Sequence, residues 1–107
     1  MAVEPLKLSP AEPESLRIWR FAHVVLDERT MDLKVRGKST RLHRKPLQVL
    51  QHLLHHAGEV VTKDELAEAC WPRRVLSDTV LTTTINRLRA ALDDQSQTLI
   101  KTVHGFG

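Results

Sequence analysis

Between Ser77 and Leu92 the chain reads SDTVLTTTINRLRAAL. Stepped at about 100° per residue around a helix axis, Leu81, Ile85, Leu88 and Leu92 fall on one stripe. Thr79, Thr83, Asn86 and Ala90 fall on the opposite side, flanked by Thr82 and Arg87. The apolar stripe needs another layer to pack against. The outer face carries small hydrogen-bonding side chains with basic neighbours, and from Thr79 to Leu92 it has no acidic residue. Such a surface suits close approach to a polar, negatively charged partner. An ordinary amphipathic surface helix would show the same stripe, so the neighbouring segments decide between the two readings.

The partner layers are legible upstream. Residues 1–15 hold Pro5, Pro10 and Pro13 among Glu, Ser and Ala, which reads as a disordered leader. The domain then runs over 16–107. Leu16, Ile18, Trp19 and Phe21 predict a first strand, and Val24, Val25 and Leu26 a second. Met31, Leu33 and Val35 alternate with Asp32, Lys34 and Arg36, the period of a half-buried strand. Arg36-Gly37-Lys38 supplies a turn with a glycine free to take positive φ, and Ser39 to Leu42 returns as a fourth strand. A small antiparallel sheet of this kind is too thin to stand alone and requires a helical layer on one face.

That layer follows. Pro46 fits a first helical turn, Leu47, Leu50, Leu53, Leu54 and Ala57 form a stripe, and Gly58 suits a helix end, giving a helix over 44–57. Thr62-Lys63-Asp64-Glu65 is a capping box, with Val61 and Leu66 placed as its hydrophobic staple. It opens a helix over 63–71 with Leu66, Ala69 and Cys70 inward and Trp71 at its end, stopped by Pro72. After the loop 72–78, Ser77 or Asp78 caps the helix over 78–92. A solvated acidic loop, Asp93 to Gln97, leads to a strand over 98–103, and His104 to Gly107 starts a turn whose return strand is expected further on.

Composition bounds the rest. The 107 residues allow one domain with a modest core. A single cysteine excludes an intrachain disulfide and fits a reducing cytoplasm. No apolar run approaches the roughly 18–20 residues that span a bilayer, and the N-terminus lacks the apolar core of a signal peptide. Net charge is +3, but residues 16–107 carry 15 basic and 10 acidic side chains, an excess that suits an acidic partner as well as a plain solvated face.

Sheet, helix, helix, loop, polar-faced helix, strand and turn make an α+β winged helix-turn-helix. Three pieces in this order, GEVVTKDELAEACW (58–71), INRLRAAL (85–92) and IKTVHGFG (100–107), resemble the OmpR/PhoB-type DNA-binding domain of transcriptional regulators. The resemblance covers about residues 17–107. It implies a four-stranded N-terminal sheet on a three-helix core, a third helix in the DNA major groove and a C-terminal hairpin wing in the adjacent minor groove. Here the module stands near the N-terminus, as in the ToxR/CadC-like branch, so a sensor domain is expected beyond Gly107, either across a membrane or as a cytoplasmic module. Family members bind direct repeats as head-to-tail pairs, which implies dimerisation on double-stranded DNA.

The resemblance also implies residue roles. Thr82, Thr83, Asn86 and Arg87 match base-facing positions. Asn suits adenine, Arg suits guanine, and a Thr methyl suits the thymine methyl. Thr79, Thr84, Arg89, Lys101 and Thr102 are expected at phosphates, with Arg89 alternatively paired to an acidic neighbour. Arg73 and Arg74 contact either phosphate or RNA polymerase. Trp71 belongs to the core or its edge, with an indole N–H near a phosphate. His104 and Gly105 form the wing. Histidine stands where arginine is frequent in the family, and with an ordinary pKa of about 6.5 it predicts a weaker, pH-dependent minor-groove contact.

Other features carry less. His52, His55 and His56 suggest zinc, but two ligands one turn apart lack the further donors a metal site needs. Cys70 reads as an inert core thiol. No phosphate loop, nucleophile triad or carboxylate pair points to catalysis, and no cofactor is implied. The rival to DNA recognition is a winged helix that binds protein instead.

Overall fold

A computed structural model of the chain describes residues 6–8, 12–15, 17–72, 77–95 and 99–102. A five-stranded antiparallel meander comes first in space. It comprises β2 (Glu12–Ser15), β3 (Ile18–Phe21), β4 (Val24–Asp27), β5 (Asp32–Val35) and β6 (Lys38–Thr40), in that order across the sheet. The four strands expected from the sequence are β3 to β6; β4 runs one residue past the expected Leu26, β5 starts one residue after Met31, and β6 is Lys38–Thr40 where Ser39 to Leu42 was expected. Leu33 and Val35 are buried while Asp32 and Lys34 are exposed, as the alternation requires. Arg36 (φ 54) and Gly37 (φ 80) both take the left-handed region, giving a two-residue hairpin whose hand matches the strand twist.

Within residues 1–15, expected as a disordered leader, the described residues 6–8 and 12–15 form two strands. β1 (Leu6–Leu8) and β2 pair in different sheets, and Leu8 is fully buried. Proline-rich composition argued against order, but edge and gap positions need few apolar residues when neighbouring backbones offer partners.

The helical layer comprises α1 (Arg44–His55), α2 (Lys63–Cys70) and α3 (Asp78–Ala91). Helix α1 buries Pro46, Val49, Leu50, Leu53 and Leu54. It ends at His55, two residues earlier than expected, and Gly58 (φ 84) turns the chain into β7 (Val60–Val61). The Thr62 hydroxyl accepts from the Glu65 amide at 3.1 Å, so the predicted cap forms. On α2, Leu66 and Cys70 are buried, whereas Ala69 faces outward rather than inward. Lys45 Nζ donates to the Cys70 carbonyl and sits 5.4 Å from the Trp71 ring centroid, closing the C-terminal end of α2. Ser77, not Asp78, caps α3 by accepting from the Val80 amide at 3.2 Å.

One core joins these layers. Phe21, Val24, Leu26, Leu33 and Val35 from the meander meet Leu50, Leu53 and Leu54 of α1, Leu66 of α2, and Leu81, Ile85, Leu88 and Leu92 of α3. A second sheet, ordered β7-β1-β8 with β8 at Ile100–Thr102, sits beside the helices. The meander also grips the C-terminal end of α3. His23 Nε2 donates to the Leu92 carbonyl at 2.7 Å, and Arg36 Nε donates to Asp93 at 2.6 Å.

Candidate nucleic-acid interface

Helix α3 turns its apolar stripe into the core, with Leu81, Ile85, Leu88 and Leu92 each at most 2% exposed. Its outer face carries exposed Thr79, Val80, Thr82, Thr83, Asn86, Arg87 and Ala90. The four expected base-reading residues, Thr82, Thr83, Asn86 and Arg87, therefore share one solvent-facing surface, and Thr79 lies at its N-terminal end. Val80, 45% exposed, is an apolar member of this surface that the helical wheel did not single out.

Three expected phosphate contacts have other surroundings. Thr84 is 7% exposed, and its hydroxyl donates to the Val80 carbonyl at 2.9 Å, four residues back. It lies towards the core because it follows the buried stripe one residue before Ile85. Arg89 is half-buried and donates through Nε and Nη2 to the Ile100 carbonyl at 3.2 and 2.8 Å. Burial pushes its guanidinium pKa down, opposed by the nearby Asp94 charge. Trp71 is 7% exposed and belongs to the core cluster. Lys101 is exposed on β8. Arg73, Arg74, His104 and Gly105 lie outside the described residues, as does the side chain of Thr102.

Asp94, read from sequence as part of a solvated acidic loop, is 2% exposed. Its carboxylate accepts from the Leu99 amide at 3.0 Å and the Ile100 amide at 2.9 Å. Asp94 and Arg89 thus hold the start of β8, the strand that carries Lys101, to the C-terminal end of α3. A hollow of about 220 Å³ at this end of α3 is lined by Asn86, Arg89, Ala90, Asp94 and Gln95. The sequence signal that could have flagged Asp94 is its place just after a helix end and a few residues before a strand, where backbone amides need acceptors.

Two of the three histidines at the C-terminal end of α1 make side-chain contacts with carboxylates of the chain. His55 donates to Glu28 at 3.3 Å, His56 donates to Glu59 at 3.1 Å, and the His52 and His56 rings lie 4.6 Å apart. Among the described residues no three His, Cys, Asp or Glu side chains converge on a metal position. Cys70 is buried, and burial pushes its thiol pKa up. No helix among the described residues is long and apolar enough to cross a membrane.

Residues 37–107 match the family described as transcriptional regulatory protein, C terminal. The chain is 31% identical to transcriptional regulatory protein AfsQ1 of Streptomyces coelicolor over 103 residues, 94% of this chain and 46% of that protein. It is 33% identical to transcriptional activator CadC of Escherichia coli over 61 residues, 57% of this chain and 12% of that protein. Its fold is similar to that of response regulator DrrB, an OmpR/PhoB homolog from Thermotoga maritima, with TM-score 0.68 and 30% identity over 76% of this chain and 37% of that one. The chain thus spans less than half the length of each. This family consists of DNA-binding regulator domains rather than enzymes, and the α+β architecture agrees with it. The chain belongs to the OmpR/PhoB-type family of DNA-binding domains of transcriptional regulators.

Proposed function

We propose that this domain binds double-stranded DNA sequence-specifically, with α3 in the major groove. The observation that carries the reading is the exposed face of α3. Thr82, Thr83, Asn86 and Arg87 stand together on it, and no acidic side chain is present from Thr79 to Leu92. A helix of this width fits the groove, and these side chains have the donors, acceptors and methyl groups that distinguish base pairs. Thr79 and Lys101, both exposed, are assigned to phosphates, which fix register without reading sequence. The wing following β8, with His104 and Gly105, is assigned to the adjacent minor groove, and Arg73 and Arg74 to phosphate or RNA polymerase.

In the whole regulator, two copies bind a direct repeat head to tail, a sensor domain supplies the signal, and the DNA-binding domain works in the cytoplasm. The test is selection from a randomised duplex pool, followed by a salt series on the winning sequence and a scrambled control. The reading expects an enriched repeat, bound well above the control, with affinity falling steeply as salt rises because neutralised phosphates release counterions. Salt-dependent binding without enrichment would leave only backbone contact. Absence of binding at low salt would favour a protein-interaction module.

A further inference from the structure

Val80 is a large apolar side chain on the outer face of α3. It is 45% exposed, whereas Leu81, Ile85, Leu88 and Leu92 on the same helix are each at most 2% exposed. A β-branched residue is a weaker helix former than alanine or leucine, so helix formation does not account for it. Both polar groups of its backbone are engaged. The amide donates to the Ser77 hydroxyl at 3.2 Å, and the carbonyl accepts from the Thr84 hydroxyl at 2.9 Å. What Val80 offers outward is its isopropyl group alone, held in the first turn of α3.

Val80 is aligned with two of the residues assigned to base edges. Val80, Thr83 and Arg87 stand at i, i+3 and i+7, within about 60° of one another round the helix axis, and all three are exposed. Thr82 and Asn86 occupy the other margin of the face. Three residues advance a helix by about 4.5 Å and seven by about 10.5 Å, against about 3.4 Å between successive base pairs. A helix lying along the groove therefore sets Val80 against the base pair next to the one that faces Thr83, and about three base pairs from the one that faces Arg87.

The apolar group on a major-groove base edge is the thymine C5-methyl. An isopropyl group has no donor or acceptor. Against the edge of guanine, adenine or cytosine it would cover polar atoms without pairing them, whereas against thymine it buries methyl on methyl. We propose that Val80 reads thymine through this methyl contact, at the base pair beside the one facing Thr83 and on the side away from Arg87. This assignment rests on the proposed binding of DNA by α3 and adds a residue that selects a base without a hydrogen bond.

The test uses the duplex enriched from the randomised pool, resynthesised with deoxyuridine in place of each thymidine in turn. That change removes one methyl and keeps every hydrogen-bonding group. Fluorescence anisotropy compares the wild-type chain with Val80→Ala, and circular dichroism checks the fold of the variant. Alanine is the better helix former at an exposed position, so the variant is expected to stay folded. At one thymidine, about three base pairs from the pair read by Arg87, the wild type is expected to lose about fourfold in affinity, the worth of one buried methyl. Val80→Ala is expected to bind the thymidine duplex more weakly and to be indifferent to the same exchange. A wild-type chain indifferent to deoxyuridine at every position would overturn the proposal and leave sequence-specific binding intact. Equal losses in wild type and Val80→Ala at every sensitive thymidine would give the methyl to another residue and overturn it as well. A pool without an enriched sequence would overturn the DNA reading and the role of Val80 together.

Discussion

Arg89 and Asp94 hold the two polar groups of one residue. Arg89 donates to the Ile100 carbonyl at 2.8 Å, and Asp94 accepts from the Ile100 amide at 2.9 Å. One comes from the last turn of α3 and the other from just past its end, so β8 is fastened to the helix that faces solvent with Asn86 and Arg87. Helix α3 and the following strand form one unit for this reason.

Asp94→Ala leaves the Leu99 and Ile100 amides without their acceptor in a site 2% exposed. The expected loss is about 2–3 kcal/mol, the usual magnitude for buried charge-assisted bonds, read from urea denaturation. Asp94→Asn keeps one acceptor oxygen and is expected to lose less. Equal losses for the two variants would mean that the carboxylate's paired acceptance is not what holds β8.

On the operator selected for this domain, Asn86→Ala and Arg87→Ala are expected to weaken binding by about 1–3 kcal/mol each and to relax preference at the base pairs they face. Thr84→Val is expected to leave affinity within about twofold, because the Thr84 hydroxyl is turned to the Val80 carbonyl and away from solvent. Fluorescence anisotropy on matched duplexes measures all three. A large effect of Thr84→Val beside small effects of the other two would place the DNA on a different face.

His52 and Glu28 give the domain two separate pH responses. Burial, then the neighbouring His56 charge, lower the His52 pKa, and its buried Nε2 has no protein partner among the described contacts. The unfolded chain therefore takes up a proton near pH 6.5 while the folded chain resists, so stability falls as pH drops through about 6.5 and levels off below the folded value. His52→Gln is expected to flatten that part of a melting-temperature profile. A profile unchanged by the substitution would assign the slope to another group.

Glu28 responds at lower pH. Burial alone would raise its pKa, but hydrogen bonds from Trp19, Gln51 and His55 outweigh this and hold it below the ordinary value. Its contribution is present above the ordinary carboxylate range and is lost as pH falls through the lowered folded value. Because the carboxylate ties the turn after β4 to α1, Glu28→Ala is expected to cost about 1.5–3 kcal/mol at neutral pH. Chemical denaturation at pH 7 and pH 3 checks both size and direction, since the difference between variant and wild type should shrink at the lower pH.

The pattern of the sequence carried the elements furthest where one periodicity ran long enough to repeat. Leu33 and Val35 against Asp32 and Lys34 defined a strand, and the Leu81–Leu92 stripe defined which face of α3 meets solvent. Local chemistry worked equally well at Thr62 and at Gly37, because a cap or a tight turn involves only residues a few positions apart. The outer face of α3 was legible for the same reason, and Thr84 was misplaced because it sits at the margin of the stripe.

What the sequence determined by itself was therefore local: element type, helix faces, caps, and a polar, acid-free surface on α3. Tertiary structure alone decided the long-range pairings. Leu6–Leu8 pairs with β7 and β8, although nothing in a proline-rich leader announces partners about 53 to 96 residues away. Asp94 became buried because β8 returned over it with two amides to satisfy. Arg89 was directed to a carbonyl of β8, and His23 to the C-terminal end of α3. Periodicity records which side of an element is apolar. The destination of a backbone donor or a single charge depends on which segments the fold brings beside it.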